Sequence, residues 1–450
     1  MKRITIPEHG QIIAWGHKAA SPEATESIAY LEKRLYHRLK KYEQHLARQG
    51  QSVFTWYSDH VKANQWVGVV QVSGLQVEIL PKVDSISQAG YDEICDRWGE
   101  SRRNLLYMLA IAGDIPVRSR DISRLSTRRA NLSETLSTLF ANALKHELLR
   151  GCERDYVRYE QNLRIFKGRL MVSKQLLKNA ANRQCFYCTF DQFSEDTLMN
   201  RIFKAACRFL LNVTRLPGTQ DALRHCLLLL DTVSDLEVTD PLFNKVSFNR
   251  QNERFENLFH FCRLILGNRA PTVSSGSKMS FSLLFDMNKV FERFIAAFMN
   301  IRVMPGFPEC RLYPQARRNR RPLFQDENNR GELLLEPDIL IRNRNNQDNL
   351  IIDTKWKKGK PTNVDLYQLY AYTKRYCCRQ SILLYPSVPD AKSQEFHVLN
   401  ENNIPCGQRV SIRYVNLNRN LYDANERKLL ADELDNLVRD GISHAAGGAN

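Results

Sequence analysis

Two aspartates and a lysine carry the first chemical signal in this sequence. Asp338 follows Pro337 and leads into Ile-Leu-Ile, while Asp353 and Lys355 follow Leu350-Ile-Ile. Asp353 and Lys355 are two residues apart, so on a strand they project from one face. Their surroundings are apolar, with Leu333, Leu334, Leu335, Ile339, Leu340 and Ile341 on one run and Leu350, Ile351 and Ile352 on the other. A charge embedded in a buried strand is costly unless it pairs or holds a metal. Antiparallel pairing across the polar insert Arg342–Asn349 would bring the two aspartates together, where they repel and burial makes the repulsion worse. Mg²⁺ resolves that conflict: it takes carboxylate oxygens at about 2.0–2.1 Å and keeps several waters. Mn²⁺ could serve in its place. A water deprotonated there can attack a phosphodiester, with Lys355 orienting it or stabilising charge on the phosphate. The competing account is a structural ion pair of Asp353 with Lys355 or Arg342.

Further polar groups surround this core in sequence. Glu292, on a preceding helix, could add a third carboxylate, or be a solvated helix position. Gln368, on a following helix, could position the water or touch DNA, and Tyr372 lies one turn on along the same face. Tyr372 is either a stacking or phosphate-contacting group or an ordinary core-edge tyrosine. Arg311, Arg317, Arg318, Arg320 and Arg321 precede the hairpin, and Lys357, Lys358 and Lys360 follow Lys355. Such clusters can track a DNA backbone without reading sequence; the bland alternative is a solvated basic loop.

The elements that must position these groups can be read from periodicity. A helix opens near residue 278, with Leu284, Met287, Phe291, Phe294, Ile295 and Phe298 as its apolar face. Two apolar runs, 333–341 and 350–356, read as a buried hairpin, then a helix over Val364–Tyr376 and a strand over Ser381–Tyr385. That order predicts an α/β domain with a mixed central sheet over 278–450. Upstream, 126–277 reads as a helical connector: Leu136 to Leu148 keep helical spacing before Gly151, and Ser194 is placed as the N-cap of a helix over 195–213. Pro271–Ser277 is a linker-like break. The first region, 1–125, holds a charged helix over Leu31–Arg48, a hairpin Trp66–Val72 and Leu75–Leu80 turning at Ser73-Gly74, and a helix over Arg102–Ile111. The whole is an α+β or α/β multidomain chain with a β-rich N-terminal domain.

Composition narrows the partners. The 450 residues carry 65 Lys plus Arg against 49 Asp plus Glu, a net charge of +16. Such a balance speaks of partners rather than fold, and the usual acidic partner is nucleic acid. The apolar runs are too short to span a bilayer, and the first ten residues show no signal-peptide core, so a cytoplasmic, non-membrane protein is expected. Eleven cysteines, an odd number lying mostly in apolar helical stretches, suit a reducing compartment. Cys185-Phe-Tyr-Cys188 lacks a second pair to complete a zinc site, so these are read as packing cysteines.

Taken in order, several segments resemble the McrC family, the nuclease subunits of McrBC-type modification-dependent restriction systems. They are Val67-Gly-Val-Val-Gln-Val with Glu78-Ile-Leu-Pro-Lys82, the run Arg154–Arg169, Phe193–Arg201, Phe285–Arg293, Pro337-Asp338, Asp353-Thr-Lys355 and Asp365–Tyr372. The resemblance spans about residues 60 to 390 and rests on the combination, since each motif is short. It implies a PD-(D/E)xK nuclease fold at the C-terminus, with Asp338, Asp353 and Lys355 as catalytic core, Glu292 as helix carboxylate and Gln368 on the helix after it. It also implies Mg²⁺-dependent cleavage of double-stranded DNA alongside an McrB-like AAA+ GTPase hexamer, whose hydrolysis this subunit stimulates by docking its N-terminal part and which recognises modified cytosine. The chain has no GxxxxGK[ST] loop, so it is not expected to bind nucleotide alone. A non-catalytic, DNA-bound adaptor of the partner NTPase and an RNA-directed nuclease are the alternative functions.

Overall fold

The computed structural model describes residues 1–15, 25, 27–48, 50–82, 91–116, 131–181, 184–267, 280–315, 319–345, 347–357, 361–388 and 391–446. The expected linker at 271–277, and Arg317, Arg318, Lys358 and Lys360, lie outside the described residues. The chain divides into two compact units. One comprises Met1–Asp114, Arg118–Leu132 and Ala270–Asn450; the other comprises Ile115–Val117 and Ser133–Arg269.

The first unit holds a four-stranded sheet in the order Lys2–Pro7, Leu75–Leu80, Trp66–Val72, Phe281–Asp286. The alternating runs form the expected hairpin, and Gly74 takes φ 86° in its turn. The helix expected from residue 278 begins later. Phe281–Asp286 is a strand, antiparallel to Trp66–Val72, and the helix starts only at Met287, where Asp286 accepts a hydrogen bond from the Asn288 amide. Helical spacing of apolar residues there loses to an open sheet edge that needs a partner. Gly68 makes the pairing fit: at φ 132°, a Cβ would sit 2.0 Å from the Leu283 carbonyl oxygen. A second small sheet runs Ile28–Glu32, Gln11–Trp15, His60–Ala63, Phe54–Trp56, and the helix after it spans Lys33–Arg48. Ile6, Ile12, Leu39, Val70 and Val77 share one core.

The same unit contains a six-stranded mixed sheet in the order Cys310–Pro314, Ile339–Asn343, Asp348–Thr354, Gln380–Pro386, Pro405–Val415, Gln394–Leu399. Asp348–Thr354 is antiparallel to Ile339–Asn343 and parallel to Gln380–Pro386. The helix Asn363–Tyr376 buries Leu369, Tyr372 and Tyr376 against Leu340, Ile351 and Leu383. Helix Ala424–Ala446 packs on Asp348–Thr354 and on helix Met287–Arg302. The run 333–341 is two strands: Gly331–Leu335 pairs with Arg321–Gln325, and Ile339–Asn343 with Asp348–Thr354. Pro337 lies in the break, where its missing N–H costs no ladder bond.

The second unit contains helices over most of Leu132–Leu149, Leu198–Val213, Pro217–Leu229 and Glu256–Gly267. It also carries a three-stranded sheet, Asp155–Leu163, Phe186–Ser194 and Arg169–Leu170, within a region expected to be helical. Phe186–Ser194 overlaps Cys185–Phe190, which reads as strand in the sequence, whereas Asp155–Leu163 is polar and largely exposed and lacks the apolar alternation of a half-buried strand, so periodicity misses it. Ser194 ends a strand here; the helix cap is Thr197, whose hydroxyl accepts from the Asn200 amide. Cys185 and Cys188 are free thiols. Among the described residues no helix is long and apolar enough to cross a membrane.

Candidate active site

Register brings the two aspartates together. Ile339 pairs with Ile352 and Leu340 with Ile351, so continuing the ladder by one step places Asp338 beside Asp353. Asp338 is fixed from the neighbouring strand: its Oδ2 accepts the Thr354 amide at 2.7 Å and the Thr354 hydroxyl at 2.8 Å. Its own carbonyl accepts the Gln315 amide at 2.7 Å. Asp353 is 1% exposed, and Lys355 Nζ stands 2.7 Å from its Oδ2. The same ammonium donates to Gln368 Oε1 at 3.1 Å. The Gln368 amide donates to the Tyr372 hydroxyl at 2.8 Å, which donates in turn to the Glu336 carbonyl at 3.1 Å. Strand and helix are thus joined by one chain of hydrogen bonds ending two residues before Asp338.

The electrostatics are strained. Burial, then the charge of Asp338, pushes Asp353 well above the usual carboxylate range, with Lys355 opposing. Burial also raises Asp338, against its bonds from Thr354 and the charge of Lys355. Glu292, half-buried on helix Met287–Arg302, is pushed up to about 7 by burial and then by the charge of Asp338, while Gln315 and Arg293 work against the shift. For Lys355, burial disfavours the charge, but Asp353 and Asp338 outweigh it and hold the ammonium protonated. Asp353 and Asp338 therefore share the field of a single lysine, and Glu292 feels the charge of Asp338, a pattern frequent where charge does chemistry.

The donor set suits a hard cation in a specific sense. Among the described residues no group of three or more His, Cys, Asp and Glu side chains stands close enough to hold a metal ion together, so Glu292 does not close a three-carboxylate cage with the aspartates. Mg²⁺ needs no cage: one or two carboxylates suffice, with water and substrate phosphate completing its shell. The Asp338–Asp353 pair meets that requirement, and its raised affinity for protons is the signature of negative charge awaiting compensation.

The remaining expected residues fall elsewhere. Tyr372 is 3% exposed with its hydroxyl engaged, so it anchors Gln368 instead of offering a stacking face to DNA. Arg320 pairs with Glu336, and Arg321 with Asp348 at 2.6 Å while lying over the Tyr376 ring. Lys357 pairs with Asp365, which also completes the capping box of helix Asn363–Tyr376 with Thr362. These described basic residues are committed to neighbouring carboxylates. Arg342 pairs with Asp348 and not with Asp353. Thr354 and Glu336 were missed by the sequence reading. Thr354 occupies the unspecified place between Asp353 and Lys355, and Glu336 contributes a backbone carbonyl, which no side-chain pattern announces.

The comparisons with known proteins agree on a family. The family model described as "McrBC 5-methylcytosine restriction system component" matches residues 61–386. The type IV methyl-directed restriction enzyme EcoKMcrBC of Escherichia coli (strain K12) is 23% identical over 314 residues, covering 66% of this chain and 88% of that protein. Among solved structures, a chain of the refined half-complex from the tetradecameric assembly of Thermococcus gammatolerans McrB AAA+ hexamers with bound McrC superposes with a TM-score of 0.64. It is 23% identical, and the match covers 97% of this chain and all of that one, a likeness of fold. The match of the family model over most of the chain, containing every candidate catalytic position, places this protein in the family of McrBC 5-methylcytosine restriction system components.

Proposed function

We propose that this chain is the McrC-type, nuclease-bearing component of its restriction system, and that the six-stranded sheet with its flanking helices is a PD-(D/E)xK endonuclease domain. Its substrate is double-stranded DNA, hydrolysed at phosphodiester bonds with Mg²⁺ or Mn²⁺. The carrying observation is Lys355, held between Asp353 at 2.7 Å and Gln368 at 3.1 Å with Asp338 as its strand neighbour's carboxylate. Asp338 and Asp353 would hold the divalent ion, with Glu292 near enough to feel the charge of Asp338. When bound, that ion supplies Lewis acidity toward the scissile phosphate and lowers the pKa of water. The chain's own residues do the rest. Lys355, kept protonated, stabilises charge building on the phosphate. Gln368 and Tyr372 stop its ammonium from swinging away, and Thr354 aims Asp338. The sequence carries no GxxxxGK[ST] loop, so we assign nucleotide hydrolysis to an AAA+ GTPase hexamer that this chain stimulates and that reads the modified base. In that division the positive balance of +16 serves backbone contact rather than specificity.

The test is cleavage of methylated DNA, unmethylated DNA and RNA by the full chain, with and without the partner and GTP, for the parent and Asp353→Ala. Loss of Mg²⁺-dependent DNA cleavage with assembly retained is expected. Cleavage unchanged in Asp353→Ala would sink the assignment, and cleavage confined to RNA would redirect the substrate.

A further inference from the structure

A tryptophan beside the candidate catalytic lysine is held by the other end of the sequence. Glu8 directly follows strand Lys2–Pro7 and is 2% exposed. Its amide donates to the Leu80 carbonyl at 2.8 Å, which locks it to the N-terminal sheet. Its carboxylate receives the Trp356 indole N–H, 2.9 Å from Oε2 and 3.2 Å from Oε1, and the Lys82 amide at 3.3 Å. Trp356 is the neighbour of Lys355, and its ring lies 5.3 Å from that of Phe291, the fully buried neighbour of Glu292. The N-terminal sheet also grips the Glu292 helix: strand Phe281–Asp286 runs into Met287–Arg302 without an intervening residue, and the Met287 amide donates to Gln65 at 3.2 Å.

We propose that Glu8 and Trp356 form a positioning pair that sets Lys355 and Glu292 relative to the Asp338–Asp353 couple, making the N-terminal sheet part of the active-site scaffold. The inference rests on the nuclease reading of that couple. Physically, Lys355 lies just past the end of its strand, where its amide still bonds the Leu384 carbonyl but regular pairing has stopped. A flexible four-carbon side chain on such a segment needs an anchor nearby. Misplacement of a catalytic group by about 1 Å can cost roughly a hundredfold in rate. An indole donating to a buried carboxylate is the stronger, charge-assisted kind of hydrogen bond, and its ring packs on the residue before Glu292. One side chain therefore references both groups to the same sheet.

The experiment compares Trp356→Phe, Glu8→Gln, Glu8→Ala and the Trp356→Phe/Glu8→Ala double variant in the full chain assembled with its partner, measuring kcat and KM for DNA with melting curves alongside. Trp356→Phe keeps the ring on Phe291 and removes only the N–H. It should lower kcat about tenfold, the size of one charge-assisted bond, with KM within about twofold. Glu8→Ala should do the same, Glu8→Gln should recover part of the loss by keeping a carbonyl acceptor, and the double variant should be no worse than Trp356→Phe alone. Unchanged kcat in Trp356→Phe, losses that multiply in the double variant, or losses confined to KM would overturn the proposal. Asp353→Ala, run in parallel, separates the two ideas: if it still cuts, the nuclease reading fails. If it is dead while Trp356→Phe is fully active, only the positioning role fails.

Discussion

The two ends of strand Asp348–Thr354 bury the same chemical group to the same depth and treat it oppositely. The side chains of Asp348 and Asp353 are each 2% exposed. Asp348 receives Arg342 Nε and an Arg321 terminal nitrogen, both at 2.6 Å, and Arg321 in turn lies 4.6 Å over Tyr376 and donates to the Arg375 carbonyl. That is one carboxylate between two planar, permanently charged cations. Five residues on, Asp353 shares the single ammonium of Lys355 with Asp338, and Glu292 lies close enough for its own proton affinity to rise. Burial of a charge is therefore not what marks the candidate site on this strand. An excess of one sign does, because only there does folding leave a demand for positive charge.

Removing Asp353 tests that contrast most severely. Asp353→Ala should reduce DNA cleavage by about a thousandfold or more, the loss expected when a metal-holding group is deleted. The contrast also predicts a readout independent of turnover. Added Mg²⁺ should raise the melting temperature of the parent chain, since an ion that binds only the folded state stabilises it. Asp338→Asn/Asp353→Asn should show no such rise, and an equal rise in both proteins would remove the metal from this pair.

The compensated end should fail differently. Asp348→Asn leaves two arginines facing a neutral group, and breaking a buried pair costs about 3 kcal/mol. Denaturant unfolding should report that loss, while kcat per folded molecule stays within about twofold at permissive temperature. A catalytic defect as large as that of Asp353→Ala, with stability unchanged, would erase the distinction between the two ends.

Glu292 sharpens the comparison through pH. Its carboxyl titrates near 7 in the fold because burial and the charge of Asp338 disfavour ionisation, whereas an unfolded glutamate titrates near 4.3. Between those values the folded state binds more protons, so this group makes stability fall as pH rises, and the full penalty is present above about 8. Glu292→Gln removes it. The variant should be more stable than the parent by about 1–2 kcal/mol at pH 8.5, after discounting for partial exposure, and equal to it near pH 4. No gain at pH 8.5 would mean that neither burial nor the charge of Asp338 holds Glu292 protonated.

The candidate site's residues were more legible in sequence than the scaffold that gathers them. Asp338, Asp353 and Lys355 announce themselves because charges in apolar strands demand a reason, and period-two spacing puts Asp353 and Lys355 on one face. Gln368 follows from its place on the next helix. What periodicity could not see were events decided by a distant partner. Phe281–Asp286 has apolar spacing that a helix would accept, and it becomes a strand because the edge of Trp66–Val72, opened by Gly68, is waiting 200 residues upstream. The basic run before the hairpin has the composition of a DNA track, yet two of its described members, Arg320 and Arg321, are matched to Glu336 and Asp348. Tyr372 could be core or contact, and only the depth of its helix face decides for core.

Tyr372 therefore offers the finest test of how far the uncompensated end is organised by neutral groups. Its hydroxyl receives the Gln368 amide and passes a proton bond to the Glu336 carbonyl, so it orients the amide whose oxygen receives Lys355. Tyr372→Phe keeps the buried ring and deletes only that relay. The unpaired Glu336 carbonyl and Gln368 amide should cost about 1 kcal/mol of stability. Freed from the tyrosine, Gln368 can turn away from Lys355, and kcat should fall about three- to tenfold with KM for DNA unchanged. A rise in KM instead would restore Tyr372 as a DNA-contacting residue. An unchanged kcat would mean that Asp353 alone holds Lys355, leaving the helix Asn363–Tyr376 a packing element rather than a partner in the chemistry.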